Sequence, residues 1–185
     1  MKKAIKLIAV VGLLFVAGLA LAIILGPPGP KLICHVELAA AFEQWKLETK
    51  SGDWYPNVEG NSIKSLAAIA PYYGSDMTRL RDYKYVPGLK SSDPKNLILM
   101  YVIKPSQRKW HGDTHWFRKE KRWIVINPQM QEGDDDRWSE AAEWIPADEF
   151  TNRLAATLRF LSENKRPNWT NTVKEQSEFL SSLQK

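Results

Sequence analysis

Asn96–Ile103 reads NLILMYVI. Seven consecutive apolar residues rich in β formers, bounded upstream by the turn-forming SSDP of Ser91–Pro94, are too short for a typical helix and the right length for a strand. The reading that follows is a sheet with this stretch as its central strand. Upstream, Tyr83–Pro87 (YKYVP) alternates in polarity, and Pro87 has no amide to give to a ladder, which makes this segment an edge strand. Downstream, Trp116-Phe117 and Arg122–Ile126 flank the charged stretch RKEK, predicting a β-hairpin with a four-residue loop. An acidic loop, QEGDDDRWSEA, leads to a further short strand near Trp144.

Helical spacing brackets this strand region. From Lys31 to Lys50, Leu32, Val36, Ala39, Ala40 and Leu47 share one side, with Leu38, Phe42 and Trp45 beside them. Glu37, Glu43, Lys46 and Glu48 then fall outside, and Ser51-Gly52-Asp53 ends the helix. A short helix capped by Ser62 runs through Leu66 and Ile69 until Pro71 and Gly74 stop it. Phe150, Leu154, Leu158 and Leu161 predict a third helix, and Val173, Phe179, Leu180 and Leu183 a terminal one after Pro167. The expected class is α+β, a long amphipathic helix packed on an antiparallel sheet with helices at the C-terminus.

The first thirty residues are of another kind. Leu7–Leu25 contains only apolar residues and glycine, and as a helix would span about 28 Å, close to the hydrocarbon thickness of a bilayer. Lys2, Lys3 and Lys6 precede it, which by the positive-inside tendency holds the tip in the cytoplasm and sends the rest across the membrane. The same residues also fit a secretory leader cleaved after Ala22, although the apolar run continues through Leu25. Either way the domain is exported. GPPGP at Gly26–Pro30 cannot carry a helix onward and forms a collar, dividing the chain into a tip, anchor and collar (1–30) and an exported domain (31–185). Cys34 is the sole cysteine, so the domain has no internal disulfide and stands on its core. Of the 26 basic residues three belong to the leader, leaving 23 against 21 acidic ones; this mixed surface implies no nucleic-acid partner.

GDWYP after the first helix, a helix ending in YYG, DYKYVPGLKSSDP at Asp82–Pro94, a hairpin opened by His111-Gly112, and EWIPADEF at Glu143–Phe150 together form a pattern. In that order these motifs resemble the type IV pilin and type II secretion pseudopilin class of bacterial envelope proteins. The resemblance implies a pilin-like fold held in the inner (cytoplasmic) membrane by one span. It also implies a non-enzymatic assembly or interaction role with a protein partner in the envelope. Prepilins carry a glutamate five residues into the mature helix, and the membrane segment here has no acidic residue. Where the hairpin pattern of that set places Asp-Gly, this chain has Lys121-Arg122. Both departures point to a fixed anchor rather than a filament subunit. A working pseudopilin of a secretion system is the alternative within the same class.

Two sets of residues are candidate metal ligands. His111, Asp113 and His115 fall on one face if Trp110–His115 is extended, as a metal-dependent hydrolase would need. As a turn, the same residues would instead satisfy backbone amides through Asp113 and Thr114. No nearby third ligand closes such a site, and the turn is the preferred reading. Asp134, Asp135 and Asp136, beside Glu132 and Gly133, are oxygen donors suited to calcium. The resemblance adds to this, since major pseudopilins bind calcium in a C-terminal loop; a solvated charge run is the plainer alternative. No catalytic residues and no organic cofactor are implied.

Overall fold

A computed structural model describes residues 35–74, 77–105, 122–129 and 142–183. The elements are helix α1 (His35–Thr49), helix α2 (Ser62–Ala67), 3-10 turns at Ala70–Tyr72 and Met77–Asp82, strands β1 (Tyr83–Tyr85), β2 (Met100–Val102), β3 (Trp123–Ile126) and β4 (Ala142–Ile145), and helices α3 (Ala147–Glu163) and α4 (Trp169–Leu183). The four strands form one antiparallel sheet in the order β1-β2-β3-β4. NLILMYVI is accordingly an inner strand and YKYVP an edge. Regular pairing covers only the middle of the longer apolar run, but the ladder continues through Val86 N–H to Leu99 O (2.8 Å), Leu99 N–H to Ile126 O (2.8 Å) and Ile103 N–H to Asp82 O (2.8 Å).

The sheet is covered on both faces. Tyr85, Met100 and Ile126 share a register row, and Tyr85 stacks on Phe42 of α1 with ring centroids 6.1 Å apart. The adjacent row turns Lys84, Tyr101 and Val125 the other way, together with Trp123. There Phe150 of α3 lies parallel on Trp123 at 4.0 Å, and Phe179 of α4 meets Tyr101 at 5.2 Å. Burial on both sides is why Ile98–Val102 and Trp123–Ile126 are apolar at every position instead of alternating. On α3, Phe150, Leu154, Leu158 and Leu161 all point inward, as their spacing predicts.

Three details of the sequence reading are corrected. First, α1 presents Leu38, Ala41 and Phe42 to the sheet, with Trp45 partly covered, while Ala40 is exposed and Leu47 is 72 % exposed. The helix carries two apolar seams, and the one bearing the aromatic rings removes more surface from water. Lys46, expected outside, is 7 % exposed: its ammonium lies 4.4 Å from the Tyr55 ring centroid and 2.8 Å from Glu43. The helix also closes earlier than Gly52, on Lys50 in left-handed backbone (φ 54°), with Ser51 N–H donating to Lys46 O (3.2 Å).

Second, the cap of α2 is Asn61, whose side chain accepts from Lys64 N–H (2.9 Å). Ser62 is free to accept from Tyr85 N–H instead (2.8 Å). Third, α4 is seated by Thr172 and Gln176, its two fully buried residues, with Val173, Phe179 and Leu180 only partly covered and Leu183 42 % exposed. The hairpin strand Trp116-Phe117 and the anchor Leu7–Leu25 lie outside the described residues.

Candidate interaction surface

His111, Asp113 and His115, and Asp134, Asp135 and Asp136, also lie outside the described residues. The strands locate where their segments attach. Chain order runs from Val102 to Trp123 for the first set and from Ile126 to Ala142 for the second, and antiparallel pairing puts these two exits at opposite ends of the sheet. Among the described residues no three potential ligands gather as a metal site, and no helix is long and apolar enough to cross a membrane.

The described surface includes an exposed apolar position on α1. The same packing that sinks Leu38, Ala41 and Phe42 turns Ala40, Gln44 and Leu47 to solvent. Gln44 Nε2 donates to Glu48 Oε1 (2.9 Å), and Tyr72 Oη–H donates to Glu48 Oε2 (2.9 Å), so Glu48 ties the helix to the first 3-10 turn. Those two hydrogen bonds, Gln44 first, hold the Glu48 carboxyl below its usual range, and the shared bond raises the Tyr72 phenol. Leu47 is left beside them, largely exposed among the described residues. The arrangement is an apolar spot framed by neutral and acidic groups.

A knot of three loop segments fixes the far end of α1. Trp54 of the GDWYP segment pairs as a single β-bridge with Lys90, and Tyr55 N–H donates to Leu89 O (3.1 Å). The Lys90 ammonium stands 4.4 Å from the Trp54 ring and the Arg166 guanidinium 5.1 Å from it. Asp93, from SSDP, closes the knot: one carboxylate oxygen accepts from Lys90 N–H (2.8 Å), the other takes a short ion-paired bond from Arg166 Nη2. Gln129 Nε2 donates to Asp93 O (3.1 Å), tying in the exit from β3. These residues escape a motif search because Asp93 and Arg166 are 73 positions apart. The available signal is that each charged residue immediately precedes a proline, in DP and RP, where the backbone is already constrained.

The remaining strongly shifted groups are interior. Burial pushes the phenols of Tyr85 and Tyr101 well up from their usual value. Each donates its hydroxyl proton inward, Tyr85 to Pro56 O (2.8 Å) and Tyr101 to Gln176 Oε1 (2.5 Å). Their role is cohesion. No known family model, curated protein or solved structure matches the chain.

Proposed function

We propose that the chain is a single-pass, membrane-anchored, non-enzymatic envelope protein with a pilin-like head that works by contacting another protein. The observation that carries this is the nineteen-residue apolar run at Leu7–Leu25 behind three lysines, which joins a helix packed by one face on an antiparallel sheet. The head is exported, and the tip Met1–Lys6 stays in the cytoplasm. The outward face of α1, with Leu47 at its centre, is the part of the head that meets the partner. The segment behind that helix contains no glutamate, which supports a fixed anchor over incorporation into a filament.

Alkaline carbonate extraction of membranes from expressing bacteria tests the reading. The full chain is expected to stay in the pellet until detergent is added, whereas a chain lacking residues 1–30 should move to the supernatant with its head folded. Release of the full chain by carbonate alone would remove the basis of the proposal.

A further inference from the structure

The strands fix where two strongly charged stretches of sequence leave and rejoin the sheet. Residues 104–122, KPSQRKWHGDTHWFRKEKR, hold seven basic residues against Asp113 and Glu120, with Trp110, Trp116 and Phe117 among them. Residues 130–141, MQEGDDDRWSEA, hold five acidic residues against Arg137. Most of the first stretch and all of the second lie outside the described residues, but the strands that carry them do not. Tyr101 pairs with Val125, so the chain runs from Val102 into the basic stretch and returns through Trp123 at one end of the sheet. Ile126 pairs with Ala142, so the acidic stretch leaves and returns at the other end. The domain is therefore polarised along its strands. From Lys31 onward it has 23 basic and 21 acidic residues, and without residues 104–122 it has 16 and 19, so its whole positive excess comes from that one stretch.

The last turn of α1 lies at the acidic end. Lys46 stands 4.4 Å from the Tyr55 ring, Tyr55 Oη–H donates to Pro128 O (2.6 Å) just past β3, and Tyr55 N–H donates to Leu89 O (3.1 Å) just past β1. The 15 residues of α1 span about 22 Å, so the helix, which follows the collar, starts well away from that end. Nine residues separate Leu25 from His35, which is at most roughly 32 Å of chain. A basic stretch with tryptophans held at such a distance is within reach of a bilayer, where Lys and Arg attract anionic headgroups and Trp settles at headgroup level. Described charges reduce the contrast between the two ends without reversing it: Asp148 and Glu149 begin α3 at the basic end, and Lys90 and Arg166 stand with Asp93 at the acidic one. Basic residues this far from the span do not oppose export, since long exported segments cross largely regardless of charge.

We propose that the head stands on the bilayer with its basic end down, residues 104–122 against anionic lipid headgroups and the acidic stretch directed away. This orientation rests on the membrane-anchored reading proposed above. It leaves the last turn of α1, with Leu47, on the side open to a protein partner.

The full chain in lipid nanodiscs tests this. In a Cys34→Ser background, a fluorophore is placed at Lys104→Cys on the basic end or at Ser92→Cys on the acidic end, both exposed positions, and a fraction of the lipid carries a nitroxide on its headgroup. In discs containing phosphatidylglycerol the label at 104 is expected to be quenched and the label at 92 not. In phosphatidylcholine alone, or at 1 M salt, where screening shortens the reach of charge to about 3 Å, quenching at 104 should fall to the level seen at 92. Arg118→Ser/Lys119→Ser/Lys121→Ser should lower the ratio of docked to free head roughly a hundredfold. Lys95→Ser/Arg159→Ser/Lys165→Ser removes the same charge from exposed positions outside the stretch and should leave the ratio at the parent level. Equal quenching of the two labels, quenching at 104 that is unchanged by lipid or salt, or an equal loss in both triple variants would overturn the proposal. A chain that does not co-elute with the discs would overturn the anchored reading as well, whereas co-elution with the label at 104 unquenched would overturn the orientation alone. Should the first triple variant not fold, the lipid and salt dependence of the parent chain decides.

Discussion

Replacing Asp93 by alanine probes the knot at the end of α1. The side chains of Asp93 and Arg166 are 6 % and 12 % exposed, so the pair is screened little by solvent. Removing the carboxylate leaves the Arg166 guanidinium interior between ring faces, 5.1 Å from both Trp54 and Phe160, and among the described residues its Nε is already buried without a hydrogen-bond partner. Lys90 N–H loses its acceptor in the same step. Breaking a buried pair from one side costs about 3–5 kcal/mol, a large part of the roughly 5–15 kcal/mol that a domain has. In a domain of this size that is a fall in melting temperature of about 6–20 °C. Urea unfolding followed by tryptophan fluorescence measures it, with Trp54 as a reporter at the site. The double variant Asp93→Ala/Arg166→Met removes the stranded charge, and should recover to within about 2 kcal/mol of the parent. A single variant that loses under about 1 kcal/mol, or a double no more stable than Asp93→Ala, would refute the reasoning.

Other consequences can be checked alongside. Lys165 occupies the left-handed position after α3, with Lys165 N–H bonded to Ser162 O and Arg166 N–H to Leu161 O, so Lys165→Gly should stabilise the head by about 0.5–1 kcal/mol, read from the urea midpoint. Phe150→Ala empties the space between Trp123 and Tyr101 and should cost about 3–5 kcal/mol by thermal melting. Tyr85 and Tyr101 have phenols raised by burial, so their contribution is intact below the ordinary tyrosine value near pH 10 and is lost as pH rises from there toward their folded values. Absorbance at the phenolate band should therefore rise together with loss of circular dichroism in alkali; ionisation of all tyrosines ahead of unfolding would contradict the burial. Glu48 has the opposite sign, its lowered carboxyl supporting the α1–Tyr72 contact above the usual carboxylate range and releasing it as pH falls through the folded value. Leu47→Glu should leave stability within about 0.5 kcal/mol, and under the proposed role should reduce cross-linking of the head to other envelope proteins.

The sheet was legible because its central strands state their burial directly. Leu97–Ile103 (LILMYVI) and WIVI have no polar position to offer solvent, and Phe150-Leu154-Leu158-Leu161 repeats at a spacing that only a helix brings to one face. The buried side of α1 was less legible, since two seams compete and the charge on Lys46 conceals a stem that packs on Tyr55. Gln176 and Thr172 gave no sign of burial: their value depends on carbonyls of Tyr85, Gly60 and Pro87, some 85 to 112 positions away, that become reachable only once the sheet edge exists. The knot of Trp54, Lys90, Asp93 and Arg166 likewise joins residues from three loops, and periodicity carries no information between loops. The exposure of Leu47 on α1 was missed for the same reason that the seam was, because Leu47 was assigned to the core.

Placement across a membrane is the claim on which the functional reading rests. Single cysteines introduced into a Cys34→Ser chain, one at Ile63, which is 78 % exposed on the head, and one at Lys2 in the tip, allow it to be measured with a membrane-impermeant maleimide on intact spheroplasts. The account predicts that Ile63→Cys is labelled without permeabilisation and Lys2→Cys only after it. Labelling of Ile63→Cys only after lysis would place the head in the cytoplasm and contradict the account.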